Sequence, residues 1–103
     1  MSVKIMPTVV ARMDLDRIFT HFVEQNRPDV AARFNDAFEE TLAFIAEFPK
    51  LGGPLDSEHH RLANVRIKPI HGFEKYLAYY RVSAEGIFVL RVFHGHQDIE
   101  KLL

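Results

Sequence analysis

One stretch of this 103-residue chain constrains its fold more than any other. Between Pro28 and Pro49, the apolar residues Val30, Phe34, Ala37, Phe38, Leu42, Ile45 and Phe48 recur at steps of three or four. That spacing puts them along one side of an α-helix, and the stripe must be buried against something. Pro28 suits the first helical position, where its missing N–H has no intrahelical partner to lose. Asp29 adds negative charge at the positive end of the helix dipole. Pro49 ends the helix, and Gly52-Gly53-Pro54 turns the chain away.

A second, weaker stripe precedes it. Ala11, Leu15, Ile18, Phe19 and Phe22 fall at helical spacing, with Arg12, Asp14, Asp16, Arg17 and Glu24 mostly off the stripe. Thr8 is placed to cap this helix, which should stop near Gln25-Asn26. Two amphipathic helices joined by a short loop make an antiparallel hairpin. Ahead of them, Val3 and Ile5 alternate with Ser2 and Lys4 as a short strand closed by Pro7-Thr8.

The surface that buries the hairpin lies in the second half. Val65 and Ile67 alternate with Arg66 and Lys68, and His71-Gly72 breaks the run. Tyr76 to Val82 is aromatic and apolar, a good strand composition. Ser83-Ala84-Glu85-Gly86 reads as a hairpin loop. Ile87 to Phe93 is nearly continuously apolar, as in a central strand covered on both faces. Gly95 breaks it, and Asp98 is placed to cap a last helical turn, Ile99 to Leu103. The reading is one α+β domain over 1–103, in the order β-α-α-β-β-β: an N-terminal strand, a two-helix hairpin, a three-stranded antiparallel meander and a short C-terminal helix.

Composition fits a single core: 48% of residues are hydrophobic, including nine Phe and three Tyr, each aromatic burying roughly 150–250 Å². No Cys is present, so disulfides and thiolate chemistry are excluded, as suits a cytoplasmic protein. No apolar run approaches the roughly 20 residues of a membrane helix, and the N-terminus is too short and too soon broken by Pro7 for a signal peptide. The net charge of −1 conceals a division. Residues 1–58 carry six Lys/Arg against ten Asp/Glu, a balance of −4, and residues 59–103 carry seven against four, a balance of +3. A basic sheet side could meet an acidic partner, or could simply neutralise the hairpin across a small domain. The overall balance argues against avid, nonspecific nucleic-acid binding.

Strand alternation places Arg66 and Lys68 on one face, opposite Val65 and Ile67. Tyr79 and Arg81 share a face, with Tyr76 and Tyr80 on the other. Arg91 follows Val89 and Phe93, while His94 follows Leu90 and Val92. Which of these converge depends on strand register. Arg66, Lys68, Arg81, Arg91, His94 and His96 are the candidates for binding a target or partner, because guanidinium groups grip phosphates and carboxylates in bidentate fashion. The alternative for each is a surface pair that only solubilises the sheet. Arg91 stands apart: an Arg inside an apolar strand requires a specific partner. RNA cleavage by 2′-hydroxyl attack would need a base, an acid and a cation, for which Tyr80, Arg81, Arg91 and His94 are suitable residue types. His94, His96 and His59-His60 invite a metal, but no carboxylate or Cys completes a ligand spacing. Neither a metal nor a cofactor is expected.

Taken in order, several segments carry a resemblance. They are Ala11-Arg12-Met13-Asp14-Leu15-Asp16-Arg17-Ile18, Ala31-Ala32-Arg33-Phe34, Phe48-Pro49-Lys50-Leu51-Gly52, Val65-Arg66, Tyr79-Tyr80-Arg81-Val82 and Leu90-Arg91-Val92-Phe93-His94-Gly95. Across nearly its full length the chain resembles the ParE/RelE superfamily of bacterial type II toxins, its ParE-like branch in particular. The resemblance implies the toxin of a plasmid-stabilisation type toxin–antitoxin module. Its cognate antitoxin would bind DNA through an N-terminal part and wrap the toxin with a C-terminal segment that folds on binding. ParE-like members inhibit DNA gyrase by binding rather than by catalysis. RelE-like members cut mRNA in the ribosomal A site. A toxin dimer and a toxin–antitoxin hetero-oligomer are both compatible with the resemblance. The chain departs from the ribonuclease branch in not being strongly basic, and that branch's catalytic set has no residue-by-residue counterpart here. Where ParE-like chains are commonly basic after the strand glycine, this one reads His96-Gln97-Asp98, so charge there depends on pH. A non-toxic module that retains only antitoxin binding is the third reading.

Overall fold

The computed structural model describes residues 3–55 and 62–95. Their order is β1 (Ile5–Pro7), α1 (Val9–Glu24), α2 (Pro28–Glu47), β2 (Gly53–Pro54), β3 (Val65–Ile70), β4 (Phe73–Ser83) and β5 (Gly86–His94). The expected order is therefore present, with β2 as an addition: the Gly-Pro turn also lays down a two-residue edge strand against β3. His59, His60, His96, Asp98 and the expected helical tail lie outside the described residues.

Each helix begins and ends for a local reason. Thr8 has extended backbone and its Oγ1 accepts from Ala11 N–H, capping α1. After Glu24 the chain turns through Asn26 at φ 59°, a left-handed conformation that Asn tolerates. Pro28 opens α2 and Asp29 sits in its first turn. The helix closes at Phe48, ahead of Pro49.

The strands form one sheet in the order β1-β5-β4-β3-β2. β3, β4 and β5 are the antiparallel meander, and β1 joins parallel to β5 at the edge. That junction is tight. Ile87 N–H donates to Lys4 carbonyl at 2.9 Å. A Cβ on Gly86, whose φ is +140°, would lie 2.9 Å from that same carbonyl oxygen, so glycine is needed both for the turn and for the passage of β1.

The hairpin covers one face of the sheet. Ala11 and Ile18 of α1 and Phe34, Phe38, Leu42 and Ile45 of α2 pack on Ile70, Ala78, Tyr80, Ile87, Val89 and Val92. The other face carries a second, smaller cluster of Leu62, Val65, Tyr79 and Phe93, in which the Tyr79 and Phe93 rings stack at 4.8 Å. β5 is therefore apolar on both faces, as its composition predicts.

Three expectations about faces need correction. Asp14, assigned off the α1 stripe, is buried, with 1% of its surface exposed. Phe19, placed on the stripe, and Phe48 of the α2 stripe are exposed. Strict alternation also fails along β5. Tyr79 pairs with Arg91 and Tyr80 with Val89, so Leu90 is the extra residue of a β-bulge. Beyond the bulge the faces exchange: Val89 and Val92 both pack under the helices, while Leu90 and Phe93 both pack on the far side. Arg91 therefore does not share a face with both Val89 and Phe93, and Leu90 does not share one with Val92.

Candidate functional site

The bulge brings Arg91 to α1. Its Nε donates to Asp14 Oδ2 at 2.7 Å and its Nη2 to Asp14 Oδ1 at 2.9 Å, a bidentate pair. Val92 N–H adds a bond to Oδ2 at 3.0 Å, and Arg17 Nη1 reaches Oδ1 at 3.2 Å. The partner that Arg91 requires is thus Asp14, supplied by the helix rather than by the sheet. The Asp14 hydrogen bonds raise the Arg91 pKa above its ordinary value, against the opposing effect of burial. This pair could have been read from the sequence. Asp14 falls three residues after Ala11 and four before Ile18, both buried, and that is the spacing of the stripe. A lone acid on a buried stripe and a lone Arg in an apolar strand each lack a partner unless they meet.

Tyr80 forms a second lock, on the opposite side of the helix-covered face. Its ring is fully buried. Its hydroxyl donates to Pro49 carbonyl and accepts from Gly52 N–H, both at 2.8 Å. Burial raises its pKa, while the Gly52 bond and the Arg66 charge pull it down. Gly52 is fixed by this contact: a Cβ there would lie 2.7 Å from Ile67 carbonyl oxygen and 2.8 Å from the Tyr80 ring and hydroxyl. Arg66 Nη1 closes the arrangement on Gly52 carbonyl at 2.8 Å. Another contact the sequence reading missed, Thr41, donates to Ala37 carbonyl and accepts from His71 N–H, tying α2 to the β3–β4 turn.

The sequence candidates are divided among three places. Arg66 and Lys68 alternate with Val65 and Ile67 and so project toward the helix-covered side of β3. Arg81, paired with Val65, lies on the other side, where its Nε donates to Ala63 carbonyl at 3.1 Å. Arg91, through its grip on Asp14, and His94 both lie at the α1–β5 seam. There an open groove of about 260 Å³ has Asp14 at its base and Arg17, His21, Tyr76 and His94 around it. His94 stands edge-on to Tyr76 with ring centroids 5.3 Å apart. Burial raises the Tyr76 pKa. His21 was not singled out in the sequence, although it lies four residues after Arg17 and seven after Asp14, on one helix face. Among the described residues no group of three His, Asp or Glu side chains is placed to hold a metal ion. Nor is any helix among them long and apolar enough to cross a membrane.

Comparison with known proteins sets this geometry in context. Residues 5–99 match the family described as the ParE toxin of the type II toxin–antitoxin system parDE. The chain belongs to the ParE toxin family. A ParE relative, Toxin ParE3 of Caulobacter vibrioides, is 27% identical over 86 residues, covering 84% of this chain and 80% of its own. A chain of the chromosomal ParDE toxin–antitoxin system of Pseudomonas aeruginosa superposes with a TM-score of 0.73 at 24% identity, over 90% of this chain and 96% of that one. A chain of the RelBE2 toxin–antitoxin complex of Mycobacterium tuberculosis superposes with a TM-score of 0.63 at 24% identity, over 91% and 99%. These two likenesses establish the shared fold, in agreement with the α+β, two-helix architecture expected from the sequence. The ParE family match makes the chain a type II toxin–antitoxin toxin.

Proposed function

We propose that this ParE-family chain arrests growth by binding DNA gyrase, without catalysing a reaction, and that a cognate antitoxin neutralises it by wrapping its surface. The family match across residues 5–99 carries the reading. The chemistry of the core supports binding over catalysis. Tyr80 is enclosed with both hydroxyl bonds committed to the backbone, and the Arg91 fork closes on Asp14. Neither group is poised to exchange a proton with a bound substrate. The antitoxin reading draws on the two solved relatives, which belong to toxin–antitoxin systems. Purified chain should abolish supercoiling by gyrase in a dose-dependent way, and addition of the antitoxin should restore it. Unchanged supercoiling at saturating chain contradicts gyrase as the target.

One observation favours a second reading, ribosome-dependent mRNA cleavage. His94 and Tyr76 are in contact beside Arg17 at an open groove, and these residue types suit acid–base work beside a phosphate. That reading predicts transcripts cut at ribosomal A sites after induction; intact transcripts in arrested cells exclude it.

A further inference from the structure

Phe48 is not alone in facing solvent at the end of α2. Phe44, one turn earlier, is 47% exposed, and Phe48 is 57% exposed. Leu51, whose N–H returns to the Phe48 carbonyl at 2.8 Å, is exposed as well. Large apolar side chains gathered on one short stretch make a patch of the kind that marks an interaction surface. Helical spacing fixes the direction in which it faces. Thr41 lies seven residues before Phe48 and three before Phe44, and its hydroxyl accepts from His71 N–H at the end of β3. The Phe ridge therefore runs along the β3 side of α2. Glu40 and Glu47, each one residue ahead of Thr41 and Phe48, are exposed on the solvent side of the ridge.

Opposite that acidic flank, β3 supplies a basic one. Arg66 and Lys68 project toward the helix-covered side of the strand. Arg66 is steadied through Nη1 by Gly52 carbonyl, and among the described residues neither cation pairs with a carboxylate. From His71, level with Thr41, three strand residues back to Lys68 cover about 10 Å, the length of about seven helical residues. Lys68 thus lies level with Glu47 and Phe48, on the other side of the ridge. An incoming strand finds no footing here. β2 covers Arg66 and Ile67. The carbonyls of Val65 and Ile67 face outward, and the next residue in that series is Pro69, which has no N–H to donate. A partner must therefore meet side chains rather than the β3 backbone.

We propose that two copies of the chain associate through this surface, face to face about a two-fold axis that runs along α2. That operation brings the Phe44 and Phe48 rings of one copy onto those of the other. It also carries each basic flank across to an acidic one, so that Lys68 meets the partner's Glu47, once on each side of the axis. An axis laid across α2 instead sets like flanks against each other, which repel. The surface is self-complementary in the one arrangement only. A purely acidic segment or a polyanion meets Glu40 and Glu47 along with Lys68, whereas a second copy offers both signs in matching order.

Sedimentation velocity of the purified full chain, over a rising series of concentrations, tests the association. We expect a reversible monomer–dimer equilibrium. Phe48→Ser should weaken it about tenfold or more, the effect of truncating an aromatic anchor. Lys68→Glu alone and Glu47→Lys alone should each weaken it, because like charges then face each other. Combining the two should restore most of the association, and that rescue separates a lost contact from a lost fold. A monomer at every concentration overturns the proposal. A dimer unaffected by Phe48→Ser and by the single charge reversals lies on another surface and overturns it too. So does a double variant that fails to recover association. If the chain stays monomeric while Phe48→Ser weakens its binding to the antitoxin, the ridge belongs to the antitoxin and the dimer is excluded. None of these results bears on gyrase as the target.

Discussion

Removing the Asp14 carboxylate should leave the Arg91 guanidinium in the seam without the acid that receives both its arms. A group 1% exposed that receives both arms of a guanidinium is costly to delete singly, because the surviving charge stays desolvated. Asp14→Ala should lower unfolding free energy by about 3–5 kcal/mol, measured by urea denaturation. Replacing both partners with apolar residues, Asp14→Leu with Arg91→Met, should cost less than either single change. A loss below about 1 kcal/mol for Asp14→Ala, the scale of an exposed pair, contradicts the assignment. Tyr80 supports a prediction of the other sign. Burial raises its pKa above 10.0, so folding favours the protonated phenol. That contribution is complete below the unfolded value and is lost as pH rises through the native one. Unfolding midpoints should therefore fall above about pH 10, and fall less in Tyr80→Phe. The same variant should cost about 1–3 kcal/mol at neutral pH, because Gly52 N–H is left buried without its acceptor. An unchanged midpoint at neutral pH argues against the lock.

At the scale of elements, much was legible in periodicity. The α2 stripe, the Thr8 cap, Pro28 at the start of α2 and the Ser83–Gly86 turn are local signals, and local physics decides them. The β5 bulge is different. It is a matter of register between β4 and β5, with Tyr79 opposite Arg91 and Tyr80 opposite Val89, and no spacing within residues 87–94 announces it. A face argument built on strict alternation therefore holds for β3 and for Tyr76 to Val82 of β4, but fails at Phe73, across the register shift of β3 and β4, and beyond Val89. The burial of Asp14 was legible in its spacing from Ala11 and Ile18, but the place of its partner, 77 residues away, is non-local. The two-residue strand β2 was hidden for a related reason: it pairs with β3 directly after Gly52, whose N–H is held by the distant Tyr80 hydroxyl, and we expect the pairing to depend on that contact. Gly52→Ala tests that dependence. With the nearest atom to the new Cβ a backbone carbonyl at 2.7 Å, the variant should lose about 1–3 kcal/mol, the usual scale of overpacking. Wild-type stability would mean that β2 can shift freely, against the described geometry.

For the whole molecule, the sheet works as a plate with a different task on each face. One face is closed by the hairpin and fastened at two sides, by Asp14–Arg91 at the α1 seam and by Tyr80 near the end of α2. The far face keeps a smaller apolar cluster around Tyr79 and Phe93. Among the described residues the sequence candidates for a cationic patch are spread over different surroundings: Arg66 and Lys68 on the helix-covered side of β3, Arg81 on the other side, and Arg91 on Asp14 and His94 beside Tyr76 at the α1 seam. What the sequence alone could not supply was that division, since it follows from register and from the bulge. We propose that this ParE-family toxin is neutralised in the cell by a cognate antitoxin. Viable count after tightly controlled induction in a bacterial host, with and without co-expression of the proposed cognate antitoxin, decides it. Colony formation should be lost with the chain alone and restored when the antitoxin is made alongside it. Undiminished viable count at high soluble expression of the chain would contradict it.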